Sequence, residues 1–370
     1  FKDPWEARDA YIQVILDRSV ENVDSFLSQH ACRKLDGADR TTALKLLELQ
    51  RHAMLMYTSC GWFFNELSGI ETVQVMQYAG RAIQLGQELF GDEIEGRFLD
   101  LLGQAKSNIP ENRDGRFIYE KFVRPAMVDL AKVGAHYAIS SLFEEYPEVA
   151  NIYCFNFQVE DRKSLEAGRA KLVVGRARVS SYITYDSKLL SFAVLHLGDH
   201  NLNGGVREYA GDEAYQAMTQ DLVQAFGRVD FPEIIRLMQH HFGASNYSLW
   251  SLFRDEQRRI LDQILESTLA GATAVYRQLY EHHAPLMHFL AGLDAPMPKA
   301  FQMAAEFILN TDLRGAFKQD SLDLGRIQSL LQEARQWRVE LDTAGLGYVL
   351  AGTIGRLASQ IGRASCRERV

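Results

Sequence analysis

The sequence predicts an α+β fold, mainly α: a helical bundle, a small antiparallel β-sheet insert and a second helical region. Three observations carry this reading. Apolar residues recur at helical spacing in the first part of the chain, most clearly at Leu46, Leu49, Ala53, Met56 and Cys60. After Pro147 the period drops to two, with Tyr153, Phe155, Phe157 and Val159 alternating with Cys154, Asn156 and Gln158. From Gly211 onward helical patterns resume. The expected regions are therefore residues 1–147, 148–210 and 211–360.

Each element has its own signal. Asp3-Pro4-Trp5-Glu6 opens the first helix, with Asp as cap and Pro at the first helical position, and Tyr11, Ile12, Ile15 and Leu16 form its expected inward face. A short helix near Val20–Gln29 leads to a polar turn at Asp36-Gly37-Ala38-Asp39. Arg51 to Arg81 then reads as two helices meeting at an aromatic corner, Gly61-Trp62-Phe63-Phe64-Asn65-Glu66. The second of these opens with Ser68-Gly69-Ile70-Glu71, the pattern of a capping box. Ile94–Ala105 is a further helix, closed by the loop Ser107-Asn108-Ile109-Pro110. Gly115 to Tyr146 reads as a long helix that Pro125 must kink or break.

Four strands are expected in the insert: one around Tyr153–Val159, then Lys171–Ser180, Leu189–Gly198 and a short one after Gly204-Gly205. In Lys171–Ser180, Val173, Gly175, Ala177 and Val179 share one face, and Leu172, Val174, Arg176 and Arg178 the other. The later helices are Asp212–Phe226, Phe231–His241, a long one near Ser248–Leu290, Lys299–Asn310, Leu322–Trp337 and Thr343–Ala358.

At 370 residues, with 47% hydrophobic and 24% charged residues, the chain is long enough for one large or two ordinary globular domains. No run of eighteen apolar residues is present, so no membrane partner is expected; a signal-peptide pattern is also missing, but the start at Phe1 does not inform on targeting. Because Phe1 leads straight into a helix, an upstream segment is expected. Residues 361–370 can be written in codons that look like a common sequencing adapter read as protein, and are expected to make no packed contacts. They carry three Arg and one Glu, which leaves a net charge of −10 on the rest of a chain that totals −8. That acidic balance argues against nucleic acid as a partner. Cys32, Cys60 and Cys154 remain, an odd number without paired spacing, which points to a reducing, cytoplasmic setting and to no structural zinc.

Two stretches stand out as candidate sites. Trp62, Phe63 and Phe64 are adjacent, and neighbours on a helix diverge by about 100°. They cannot share one buried face, so at least one must look outward. With Tyr57 a turn earlier, and with Asn65 and Glu66 to bond hydroxyls, the corner suits the stacking of a sugar ring. A packed helix corner is the plainer reading. The second stretch is His196, Asp199, His200, Asn201 and Asn203 at a strand end. A straight strand would hold the two histidines ~13 Å apart, so a polar, accessible loop around Asp199, His200 and Asn203 is preferred to a metal site. No phosphate loop, nucleophile signature, metal set or cofactor motif is expected elsewhere. His240-His241 and His282-His283 read as helix residues that diverge, and the Arg254–Arg259 charge run as a solvated face.

The stretch RHAMLMYTSCGWFFNELSGIETVQVMQYAGRAIQL, with KSNIP, IYEKFVRPAMVDLAKVGAHYAISSLFEEYP, EAGRAKLVVGRARV and LHLGDHNLNGGVREY, resembles family 3536 of the domains of unknown function. The likeness continues into SLFRDEQRRILDQILEST, YRQLYEHHAPLMHFLA and PKAFQMAAEFILNTDLR and so covers nearly all of residues 2 to 350. That resemblance implies a position after the catalytic domain of proteins similar to glycoside hydrolase family 57. Family 57 enzymes acting on α-glucans follow their barrel with a helix of the form Gln-Ser-Ser-Asp-Trp-Pro-Phe and a Thr-Gly turn. Thr58 to Phe64 and Ser68-Gly69 fall in the same order, with Gly61 in place of the acidic residue. The resemblance implies an accessory region of an α-glucan hydrolase or glucanotransferase, with residues 1–147 as its post-barrel helices. Trp62, Phe63, Tyr57, Glu66, Asp199, His200 and Asn203 would meet the substrate. The partners implied are the amino-terminal catalytic barrel of the parent chain and an α-glucan oligosaccharide. Glycoside hydrolysis needs two carboxylates flanking the scissile bond, and in the family both come from that barrel, so no catalytic residue and no catalysis by this chain alone is expected. The competing readings are a structural or protein-interaction domain without a carbohydrate role, and an independent enzyme built on the His196–His200 loop.

Overall fold

The computed structural model describes residues 1–91, 93–243, 245–319 and 321–367, with side chains described through residue 358. It is α+β and mainly α, and its chain divides into two compact units, Phe1–Leu261 and Asp262–Val370.

The first unit starts with α1 (Pro4–Ala10), α2 (Ile12–Leu16), α3 (Val20–His30) and α4 (Gly37–Leu55). Asp3 caps α1 as its sequence suggests, accepting from the N–H groups of Trp5 and Glu6. The helix breaks at Tyr11, however, and its inward face is Ala7, Tyr11 and Val14, while Ile12 and Leu16 point to solvent. Asp36 is not part of a free turn: its side chain accepts from the Asp39 N–H and starts α4. The buried face of α4 is Ala43, Leu44, Leu47 and Glu48, rotated from the stripe expected through Leu46, Leu49 and Ala53. The rotation brings a carboxylate inward, which a reading of apolar spacing could not register.

A short α5 (Cys60–Phe63) joins α4 to α6 (Ile70–Phe90), followed by α7 (Ile94–Leu102). Gly69 rather than Ser68 is the cap of α6, and the Ser68–Glu71 capping box does not form because both Ser68 donors turn to Glu66 instead. The long helix expected over 115–146 is broken at Pro125, as a proline without N–H requires. It becomes α8 (Gly115–Ile118), one π turn, one 3-10 turn and α9 (Leu130–Ser140), the last capped by Asp129.

Among the described residues one six-stranded sheet follows, in plain sequential antiparallel order: β1 (Val149–Ile152), β2 (Phe155–Ala167), β3 (Ala170–Ser181), β4 (Ser187–His196), β5 (Leu202–Glu208) and β6 (Asn246–Tyr247). The segment read as one strand around Tyr153 is two, because Tyr153 takes a positive φ of 54° and turns the chain from β1 into β2. β6, only two residues long, carries no alternation to read. The two faces of β3 match the expected split. On one, Leu172 and Val174 join Ala193 and Leu195 against Met218, Leu222 and Phe242 of α10 (Asp212–Gly227) and α11 (Phe231–Phe242). On the other, β4 carries Leu190 and Phe192 against α9, where Gly134 lets Leu190 approach: a Cβ there would stand 2.5 Å from Leu190 Cδ1.

The second unit is helical. The division falls within α12 (Arg254–Gly292), and α13 (Lys299–Lys318), α14 (Leu324–Gln336) and α15 (Thr343–Arg367) follow. α13 packs on both α14 and α15 through two clusters, one around Met287, Leu309 and Trp337 and one around Leu313, Phe317 and Leu346. Among the described residues, no helix is long and apolar enough to cross a membrane. The packing expected of residues 361–370 concerns side chains outside the described residues.

Candidate functional site

At the aromatic corner, where at least one outward ring is expected, all three adjacent rings are outward. Trp62 is 73% exposed, Phe63 74% and Phe64 50%, with Tyr57 at 78%. Phe63 and Phe64 meet edge to face at 5.3 Å. Four residues of α5 offer no inward face of their own; what fixes the corner is polar. One oxygen of Glu66 accepts from the Ser68 N–H (2.9 Å), the Ser68 hydroxyl (2.9 Å) and the Ser107 hydroxyl (2.7 Å), and the other from the Asn108 N–H (2.8 Å). These donors, led by the Ser107 hydroxyl, hold the Glu66 carboxyl down to about 2. Glu66 thus ties the corner to the 107–108 loop, and four protein donors already occupy the carboxylate that the sequence offers to sugar hydroxyls. Thr72 Oγ1 adds a bond to the Gly61 carbonyl at 3.2 Å. Gly61 has no room for the acidic side chain of the related pattern, since a Cβ would lie 2.7 Å from Val75 Cγ2.

The second candidate stretch forms the hairpin turn between β4 and β5. Gly198 (φ 103°) and Asp199 (φ 49°) supply left-handed backbone, and Leu197 and Asn201 close the turn with a 2.9 Å bond. Asp199 and His200 are exposed and Asn203 is half-buried. The His196 ring turns back on the turn itself, its Nε2–H donating to the Asp199 carbonyl at 2.9 Å. Among the described residues, no group of three or more His, Cys, Asp or Glu is arranged to hold a metal ion. The corner rests on α6 and the 107–108 loop, and the hairpin on β4 and β5, so the sequence-derived residues belong to two separate elements.

A separate concavity contains none of them. It is a cleft of about 1180 Å³ in the first unit, walled by α4, α6, the 123–131 segment, the β1–β2 turn and residues 181–188. Ligand pockets commonly enclose roughly 300–1,000 Å³. At its floor lies Glu48, 2% exposed, bonded to Tyr11 Oη (2.6 Å), Arg18 Nη2 (2.7 Å) and Arg51 Nη1 (3.1 Å). Burial pushes its pKa up, but the Tyr11 hydroxyl and the Arg18 and Arg51 guanidinium groups outweigh this and hold it below the usual carboxylate range. His52 donates from Nδ1 to the Glu48 carbonyl at 2.8 Å, which leaves Nε2 as an acceptor. Burial, ahead of the Glu48 contacts, keeps its pKa below the ordinary histidine value. Lys45 reaches Asp186 at 2.6 Å and Glu88 at 3.1 Å. A signal for this cleft was present in the chain: Lys45, Glu48 and Arg51, and Gln77, Arg81, Gln84 and Glu88, recur at three-to-four spacing. A polar stripe usually marks a solvated helix face, and only the packing of the sheet end against both helices turns it into a wall.

Compared with known families, residues 1–253 match the model of a domain of unknown function, DUF3536. No curated protein and no solved structure matches the chain.

Proposed function

The chain belongs to the DUF3536 family through residues 1–253, and we propose that it is the accessory region of a glycoside hydrolase family 57-like protein acting on α-glucans, contributing substrate contact rather than catalysis. The observation that carries this reading is the exposure of Tyr57, Trp62 and Phe63 at a corner that Glu66 ties to the 107–108 loop. Large aromatic groups left in water forgo about 1.5–3 kcal/mol each in burial, so several of them exposed at one corner call for a covering surface. A glucan answers this well, because the C–H face of a pyranose lies flat on an indole while its hydroxyls stay hydrated.

A second reading, docking of another protein surface without a carbohydrate role, draws on Ile70, an aliphatic residue 80% exposed at the start of α6. Trp62→Ala separates the two. In a calorimetric titration with maltoheptaose, the variant should lose at least tenfold in affinity with an unchanged melting temperature. Absence of any maltoheptaose binding by the unmodified chain would leave the docking reading in its place.

A further inference from the structure

We propose that the cleft between α4, α6 and the β1–β2 turn is a separate binding site for a neutral, polyhydroxylated ligand, a short oligosaccharide, contacted by Arg81, His52 and Tyr153. The inference goes beyond the corner and does not depend on it. Charge argues against an anionic ligand. Lys45 is held by Glu88 and Asp186, Arg51 by Glu48, and Lys188 by Glu208. The Glu95 carboxylate is likewise taken, by Arg124 at 3.1 Å and the Tyr119 hydroxyl at 3.2 Å. Among the described residues, Arg81 is then the one cation of this wall without a carboxylate partner; its Nη1 donates to Gln84 Oε1 at 2.6 Å. A phosphate or carboxylate ligand needs convergent unpaired cations, and a single one suits a hydroxyl as well.

The remaining wall offers what a sugar asks for. His52 Nε2 accepts, Arg81 donates, and Gln77 provides an amide that does both. Tyr153 adds the aromatic face. Its ring is 66% exposed on the cleft wall, edge-on to Phe253 at 5.3 Å. Its backbone stands at φ 54°, a left-handed conformation that a bulky residue adopts only under strain. A glycine would hold this turn without strain. A tyrosine held there against its backbone preference, on the wall of this cleft, points to a use for the ring.

The test is calorimetric titration of the full chain with maltotriose, cellotriose and xylotriose, and with inorganic phosphate as the anion probe. At least one trisaccharide should bind, and Arg81→Ala and Tyr153→Gly should each weaken it at least tenfold. Tyr153→Gly should do so without lowering the melting temperature, which a purely structural ring would not allow. The proposal is overturned if no trisaccharide binds, if phosphate binds more tightly than every sugar in an Arg81-dependent way, or if Tyr153→Gly lowers the melting temperature while affinity stays intact. Sugar binding lost in Trp62→Ala but kept in Arg81→Ala also overturns it and leaves the corner standing; the reverse pattern supports the cleft and removes the corner.

Discussion

The His136 side chain sits 2% exposed on α9, its ring 4.4 Å from that of Phe253 and its Nδ1 accepting the Phe253 N–H at 3.4 Å. Burial pushes its pKa down to about 4, with Glu256 opposing and Arg259 reinforcing the shift. Protonation would lose the Nδ1 bond and place a charge in the core. The unfolded chain binds this proton near pH 6.5, so the stability tied to neutral His136 is complete above pH 6.5. It is lost as pH falls from 6.5 to 4, and at one pKa unit per ~1.4 kcal/mol it amounts to about 3 kcal/mol. Urea unfolding at pH 7, 5.5 and 4 should show that slope in the native chain and a shallower one in His136→Gln. Equal slopes would mean that His136 is not the group responsible. Glu48 shows the opposite arrangement at the same scale: a buried charge kept ionised because three donors surround it.

Adjacent glycines on β5 show how an element depends on which face a residue occupies. Gly205 lies under Phe242 of α11, where a Cβ would stand 2.4 Å from the ring. Gly204 points the other way and a Cβ there meets nothing closer than 3.4 Å. Gly205→Ala should therefore cost about 1–3 kcal/mol by overpacking, while Gly204→Ala should be neutral or stabilise by up to about 1 kcal/mol through the unfolded chain. Chemical denaturation of the two variants checks this; equal effects would remove the close helix–strand approach as the cause. β3 and β4 were legible as short apolar runs because both faces of these central strands are covered, one by α10 and α11 and the other by α9. The β1–β2 turn was not, since its alternation runs through Tyr153 without a glycine or proline to mark the reversal.

At the scale of the molecule, each unit has its own apolar core, and Trp337 is the largest side chain in that of the second, packed with Tyr280 and His288 and buried beside Met287 and Leu309. Trp337→Ala should destabilise that unit by about 3–5 kcal/mol. Hydrogen exchange should then rise in α13 and α14 while amides of β3 and β4 keep their protection. A uniform rise across both units would contradict the division into separate cores.

The sequence by itself determined the class of fold, the positions of most helices, the central strands, the break at Pro125 and that at least one ring of the aromatic corner faces outward. Those features depend on local rules: periodicity, a missing N–H, and the divergence of neighbours on a helix. Tertiary structure alone decided which face of α4 is buried, that Glu66 serves as a clamp, that Gly61 must lack a side chain, and that a cleft exists. Each of these turns on partners distant along the chain. Glu66 meets residues 107 and 108, and Glu48 meets residues 11 and 18. The cleft joins α4 and α6 to a turn near residue 153. A polar stripe on a helix reads the same whether water or another wall faces it, and only the folded chain supplies the wall.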